Sequence, residues 1–245
     1  MRKDNLHPAA TIINLWSGPR NISTAMMYAF SQHKDVRVFD EPLYAHYLKV
    51  SNVNHPGKEA ILLAQNNKGD EVMDSFLFDD FDRPFLFLKQ MTHHLLEMDL
   101  RFLEQTKNII LIRDPKRVLH SYSKVIEQPV LSDIGIKQSF DLVEYLQKLN
   151  FHCLIVDTET ILRNPEVALK KICFSCGLTF SPAMLSWAAG PKKADGIWAK
   201  YWYDAAHAST GFQVYNDTAI ELTPALQNIY NEALPFYEQL KKQAI

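Results

Sequence analysis

Ser17-Gly18-Pro19-Arg20-Asn21-Ile22-Ser23-Thr24 follows an apolar run and opens a helical pattern. A strand, a tight loop and a helix start in that order present backbone N–H groups and the positive end of a helix dipole to an anion. Arg20 adds a charge-assisted donor, and Ser23 and Thr24 add hydroxyl donors. Gly18, Pro19, Arg20, Asn21, Ile22, Ser23 and Thr24 are therefore candidate phosphate-binding residues. The alternative is that Ser23 caps a helix and Arg20 faces water. Ile22-Ser23 stands where the Walker pattern has Gly-Lys. An ordinary Mg-dependent NTPase uses that lysine on its β- and γ-phosphates, so the loop argues against an ATP-driven enzyme.

Three further segments carry titratable groups at what read as strand ends. Asp40-Glu41-Pro42 closes a β-type run, and the carboxyl edge of a parallel sheet faces the ligand crevice. Glu41 is a candidate general base, or a partner for a nearby arginine. Pro42 is expected to hold it extended, away from helix geometry. Lys89 ends the run FLFLK and is a candidate for offsetting leaving-group charge. His93 and His94 follow, side chains that exchange protons near neutral pH. No further His, Cys or Asp stands at ligand spacing around them, so no metal is expected. Arg113 closes IILIR, and Ser121 lies eight residues on. The two reach one anion if the helix after Asp114-Pro115 folds back over the strand end, with Lys116 and Arg117 adding positive potential. A basic surface turn is the plainer alternative. Cys173 and Cys176 form a CxxC inside a helical pattern and read as core.

These groups need a scaffold of alternating strands and helices. β-type runs stand at Thr11–Ser17, Val36–Asp40, Phe85–Lys89, Ile109–Arg113 and Phe151–Asp157. The third and fourth are nearly continuous apolar runs, as in strands buried on both faces. Helical patterns lie between and after them at Ser23–His33, Lys58–Asn66, His94–Thr106, Pro115–Glu127, Ile136–Leu149, Pro165–Cys176 and Pro224–Gln243. Asp114-Pro115 and Asn164-Pro165 are N-cap and first-turn pairs. Alternation predicts an α/β fold in three layers, a five-stranded parallel sheet with helices on both faces. Asn66–Arg83 reads as a solvated loop or short helix. Trp187–Phe212 reads as a long functional segment, whose aromatics Trp198, Tyr201, Trp202 and Tyr203 either wall a pocket or pack as core. With no repeat or linker, residues 1–245 are expected to form one domain.

Composition bounds the partners. In 245 residues, 47% hydrophobic and 22% charged, Lys+Arg 26 against Asp+Glu 28 gives a formal charge of −2. A broad basic face for nucleic acid is not expected. No run approaches the ~18 apolar residues of a spanning helix, and residues 1–8 carry no apolar signal core. Three cysteines make no disulfide framework. A cytoplasmic protein with no membrane partner is expected, and a homodimer is compatible with these features.

Four features, taken in order, resemble the nucleotide-dependent sulfotransferases, which use 3′-phosphoadenosine 5′-phosphosulfate (PAPS) and release adenosine 3′,5′-bisphosphate (PAP). The first loop is similar to the family's 5′-phosphosulfate loop, commonly PRSGST or PKSGTT. Arg113 and Ser121 match the Arg…Ser spacing of its 3′-phosphate site. Asp157–Leu178 is similar to its YEDL…DP…L..IC.FLGL segment. Gly190-Pro191-Lys192-Lys193 to Trp198 resembles the late basic loop, typically RKG…GdW, which closes over the 3′-phosphate. The resemblance spans residues 11 to about 200.

It implies a P-loop-type five-stranded sheet, PAPS as donor, no required metal and a small-molecule or sugar hydroxyl or amine as acceptor. It also implies that the first loop, Arg113, Ser121, Lys192 and Lys193 hold the nucleotide. The chain departs from the pattern in placing Ile22 where glycine is usual and Lys192-Lys193 where Arg-Lys is usual. His93 stands four residues after Lys89, where cytosolic members use Lys-x-His. Glu41 matches the glutamate that sugar-acting branches place after the second strand. The expected base is Glu41, with His93 second and Lys89 beside them. The competing classes are a P-loop small-molecule kinase and a non-catalytic nucleotide-binding module of the same fold.

Overall fold

The computed structural model describes residues 10–126 and 128–245. The five apolar runs form five parallel strands: β1 (Thr11–Ser17), β2 (Val36–Asp40), β3 (Phe85–Met91), β4 (Lys107–Ile112) and β5 (Cys153–Asp157), in spatial order β2-β3-β1-β4-β5. Strands β3, β1 and β4 are interior, which explains their continuous apolar character. The helices are α1 (Ser23–Ser31), α2 (Tyr44–Ser51), α3 (Lys58–Ala64), α4 (Gly69–Phe78), α5 (Pro115–Tyr122), α6 (Ile136–Lys148), α7 (Thr158–Arg163), α8 (Pro165–Cys176), α9 (Ala199–Trp202), α10 (Asp204–His207) and α11 (Pro224–Lys241). Among the described residues, no helix is long and apolar enough to cross a membrane.

Alternation along each strand splits the core in two. Ile12, Trp16, Leu86, Leu88, Ile110 and Ile112 face α4, α5, α6 and α11. Ile13, Leu15, Phe87, Ile109 and Leu111 face α1 and α8. A third cluster packs Tyr44, Ala45 and Leu48 of α2 and Ile61 of α3 against Trp198, Ala199 and Tyr203. It brings the late segment over the carboxyl end of β2.

Local signals set several boundaries. Asp114 accepts from the Lys116 N–H at 2.8 Å and starts α5. Asn164 accepts from the Val167 N–H at 3.2 Å and starts α8. Gly177, left-handed at φ 74, ends α8. Two expectations are corrected and a third is refined. The helix expected over His94–Thr106 is two short 3₁₀ turns, Thr92–His94 and Leu100–Gln105, because Asp99 caps the second through the Arg101 N–H and restarts the chain. The helix expected over Pro115–Glu127 stops at Tyr122, before the β-branched Val125-Ile126; Glu127 lies outside the described residues. Asn66–Arg83 does contain a short helix, the ten-residue α4, though one that buries Val72, Met73 and Phe76 rather than lying solvated.

Gly18 fixes the first loop against the turn that precedes α6. A Cβ on Gly18 would lie 2.3 Å from the Ile134 carbonyl oxygen, and one on Gly135 would lie 2.8 Å from the Gly18 Cα. Both neighbours are backbone atoms and cannot rotate away. Gly18→Ala is expected to destabilise the protein by about 1–3 kcal/mol, as overpacking usually does. Urea unfolding checks it, and an unchanged midpoint would show that the Ile134–Gly135 turn yields.

Candidate functional site

The first loop turns through two left-handed residues, Arg20 at φ 58 and Ile22 at φ 53. That conformation is unusual for a β-branched side chain, and it stands where the family pattern has glycine. Asn21 anchors the loop from inside: its Nδ2 donates to the Leu111 carbonyl at 2.6 Å, and its Oδ1 accepts from the Thr158 hydroxyl at 2.6 Å. Ile22 caps α1 without a side-chain acceptor, so the first amides of that helix have no capping group.

Beside them lies a group of guanidiniums. Arg20 Nε donates to Ser121 Oγ at 3.0 Å, and Arg113 Nη1 donates to the Arg20 carbonyl at 2.5 Å. Arg117 stacks on Tyr215, its guanidinium carbon 4.7 Å from the ring centre, and Arg163 lies 4.3 Å from the same ring. Burial, then repulsion from Arg117 and Arg20, lowers the Arg113 pKa. Among the described residues no ion pair joins Arg20, Arg113 or Arg117 to a carboxylate. Among the described residues Arg113 Nε is buried with no partner. Like charges gathered beside uncapped amides, with a donor left over, suit a polyanion.

The second constellation sits at the ends of β2 and β3. Asp40 and Lys89 are register partners on adjacent parallel strands, so both side chains leave the same face of the sheet. Lys89 Nζ reaches Asp40 Oδ1 at 2.9 Å, Glu41 Oε1 at 2.5 Å and Tyr203 Oη at 2.5 Å. Lys89, Asp40 and Glu41 are all buried, Lys89 to 2% exposure. Burial opposes charge on Lys89, but Asp40 and Glu41 outweigh it and raise the ammonium pKa well above its usual range. Two carboxylates share that one ammonium. Burial, with repulsion from Asp40, raises the Glu41 pKa against the pull of Lys89. Glu41 is not extended as Pro42 suggested; its φ is 41. Its N–H still extends the ladder to the Lys89 carbonyl, and its carbonyl accepts from the Tyr44 N–H. The chain thus turns at Glu41 and brings the carboxylate over Lys89.

His94, not His93, stands nearest this carboxylate, with Nε2 3.9 Å from Glu41 Oε2. It stacks against Tyr44 and Tyr47 at 5.1 and 4.7 Å. Burial, then repulsion from His93 and Lys89, holds it neutral. His93 packs edge-on to Tyr47 at 5.0 Å, and burial with His55 nearby pushes its pKa down to about 4. The sequence puts His93 second to Glu41 as the base, whereas the 3₁₀ turn after β3 brings His94 to that carboxylate.

The late segment closes over the same edge. The Gly196 N–H donates to Asp40 Oδ2 at 2.9 Å. Tyr203 Oη donates to Asp40 Oδ1 at 2.8 Å. Asp195 accepts from Tyr28 Oη at 2.8 Å and from the Lys192 N–H at 2.7 Å. The Lys192 ammonium bonds the Ala188 carbonyl at 2.7 Å and the Gly190 carbonyl, and it lies 5.0 Å over the Tyr28 ring. Lys193 is exposed. Among the described residues no hydrogen bond joins Lys192 or Lys193 to Arg113 or Ser121. Sequence reasoning missed the Tyr203 hydroxyl. A tyrosine among four aromatics carries no mark of a buried partner 163 residues away. Cys173 and Cys176 are buried, and burial pushes the Cys173 thiol up to about 12, which fits the core reading.

Comparison with known proteins adds the family. Residues 11–244 match the family described as "Sulfotransferase domain". The chain is similar to branched-chain-amino-acid aminotransferase-like protein 2 of Arabidopsis thaliana, 32% identical over 235 residues, which cover 94% of this chain and 41% of that protein. It thus spans about two fifths of that relative's length. Its fold resembles a sulfotransferase from Alicyclobacillus acidocaldarius (TM-score 0.58, 12% identity, 97% of this chain and 98% of that one). It also resembles mouse sulfotransferase SULT7A1 complexed with PAP (TM-score 0.50, 10% identity, 96% of this chain and 88% of that one). Identities this low speak for the fold alone, whereas the family match runs nearly from end to end: the chain belongs to the sulfotransferase family.

Proposed function

We propose that the chain transfers a sulfuryl group from PAPS to a hydroxyl or amine of a small-molecule acceptor. The observation that carries this reading is the group Arg20, Arg113 and Arg117, gathered beside the start of α1, which has no side-chain cap, and among the described residues without an ion-paired carboxylate. The residues suit the donor's two anionic ends. The first-loop amides with Arg20, Ser23 and Thr24 are assigned to the 5′-phosphosulfate, and Arg113 and Ser121 to the 3′-phosphate. Lys193 is the late loop's exposed charge for that phosphate. Lys192, bonded to carbonyls of its own loop, is assigned to holding the loop in shape.

PAPS, when bound, supplies the activated sulfuryl group. Glu41 takes the proton from the acceptor O–H or N–H. Arg20 holds positive charge at the carboxyl edge, where fixed charges favour a transition state that accumulates negative charge, while Lys89, its three protons directed at Asp40, Glu41 and Tyr203, acts by favouring the ionised form of Glu41. His94, neutral and buried against two tyrosines, borders Glu41 without competing for its proton. Three free cysteines suit a reducing, cytoplasmic setting.

Thermal unfolding with and without PAP tests the donor class. Ligand at about 100 times its Kd adds about 2.7 kcal/mol, which should raise Tm by roughly 5–10 °C in a protein of this size. Arg113→Ala should remove most of that shift while leaving the ligand-free Tm close to wild type. An equal or larger shift with ATP and Mg²⁺ would instead favour the kinase. Binding of PAP with no turnover across a broad acceptor panel would favour the non-catalytic module.

A further inference from the structure

One phenol at the carboxyl edge meets three ionisable side chains. Tyr203 Oη lies 2.5 Å from Lys89 Nζ, 2.8 and 2.9 Å from Oδ1 and Oδ2 of Asp40, 3.5 Å from Glu41 Oε1 and 3.3 Å from Trp198 Nε1. A hydroxyl has one proton and two lone pairs. The ammonium and the indole N–H only donate, so they fill the lone pairs. The single proton is left for a carboxylate, and Asp40 is the nearer. Lys89 in turn has three protons, which go to Asp40, Glu41 and Tyr203. Every donor and acceptor at the centre of this network has a fixed assignment.

We propose that Tyr203 is a positioning residue: by donating to Asp40 it weakens that carboxylate's hold on Lys89 and leaves the ammonium to keep Glu41 ionised. Its catalytic meaning rests on Glu41 being the base. Glu41 is faced by Asp40 from β2, Lys89 from β3, His94 from the turn after β3, Tyr44 from α2 and Tyr203 from the late segment. His94 is neutral, and burial keeps Tyr44 protonated. Lys89 is thus the one cation in this group and Asp40 the one competing anion. Without the phenol, Asp40 takes a larger share of the ammonium and Glu41 holds its proton to higher pH. Burial and the neighbouring carboxylates keep the Tyr203 proton in place, so the phenol acts through its hydrogen bonds and not by exchanging a proton.

Tyr203→Phe removes one oxygen and leaves the ring packed. Two readouts decide the matter: the pH dependence of the transfer rate, and a carbon-13 carboxyl NMR titration of Glu41, assigned by its loss in Glu41→Gln. Both the acidic limb of the rate and the Glu41 midpoint should rise by about one pH unit, the effect of one hydrogen bond to a charged group. Asp40→Asn should move both the other way. In the double variant, Tyr203→Phe should add nothing to Asp40→Asn. Coincident midpoints for wild type and Tyr203→Phe would overturn the proposal. If Tyr203→Phe fails to fold, Asp40→Asn carries the test, and an unmoved Glu41 midpoint overturns it. A wild type that binds PAP but transfers nothing would sink the base role of Glu41, while the titration would still decide what Tyr203 does.

Discussion

Glu41→Gln is expected to slow transfer by about 10²–10⁴-fold, the usual contribution of a positioned general base, and to leave the fold as stable as wild type or slightly more so. The amide has the shape of the carboxylate and still offers an oxygen to Lys89 Nζ, 2.5 Å away in the wild type. What it lacks is the capacity to take a proton. The stability half follows from charge. Asp40 and Glu41 share one buried ammonium, and burial raises the Glu41 pKa above that of the unfolded chain. A raised carboxyl pKa contributes stability below the unfolded value, and that contribution is lost as pH rises through the folded value. Wherever Glu41 is ionised in the folded protein, its charge is therefore a net cost, which glutamine removes. The same shift places the acidic limb of the wild-type rate above the ordinary glutamate range, and the variant should lack that limb. Initial rates across pH, with PAP-induced Tm shifts to show an intact donor site, make the comparison. Activity within twofold of wild type would dispose of Glu41 as base.

That separation of rate from stability depends on geometry only partly written in the sequence. The bounds of β1, β2 and α8 stand where the sequence puts them. Apolar runs and cap residues are local signals, and nothing distant opposes them. Besides the four-residue α9 and α10, helices α2 and α7 went unread for physical reasons. Helix α2 begins after Leu43 with no side-chain cap and is held by the burial of Tyr44, Ala45 and Leu48, so only its tertiary partners favour it. Helix α7 starts directly at the end of β5, with Asp157 accepting from the Glu159 N–H at 2.9 Å, and it ends on Asn164, the cap of α8. Two short helices sharing a boundary residue blur each other's pattern.

At the site, the residue types were legible and their grouping was less so. Arg20 and Ser121 meet across 101 positions and Arg20 with Arg113 across 93; strand ends predict such meetings because a parallel sheet gathers them at one edge. Register alone predicts Asp40 beside Lys89. No sequence rule predicts that a 3₁₀ turn brings His94 rather than His93 to Glu41, that Lys192 bonds its own loop, or that Tyr203 returns to Asp40. Each is a packing outcome of the late segment or of a single turn.

Lys89→Met gives the opposite result to Glu41→Gln: it should unfold the protein readily, whatever it does to the rate. Removing one partner of a buried ion pair typically costs about 3–5 kcal/mol, because the remaining charge stays buried and unpaired. Here two carboxylates would be left. Asp40 keeps the Gly196 N–H and the Tyr203 hydroxyl as donors, whereas Glu41 keeps only a phenol at 3.5 Å and an imidazole at 3.9 Å. Most of the loss should therefore come from Glu41. For a chain of this size it should lower Tm by about 6–20 °C. The loss should depend on pH in a definite sense. Without the ammonium the Glu41 pKa rises further, so the penalty is full above that raised value and shrinks as acid protonates the carboxyl. Adding Glu41→Gln to Lys89→Met should then restore more of the stability at pH 8 than at pH 5. Urea unfolding of the two single variants and the double at both pH values closes the cycle. A Lys89→Met protein as stable as wild type at pH 8 would mean that water reaches these carboxylates, and the buried ion triad would lose its part in holding β2, β3 and the late segment together.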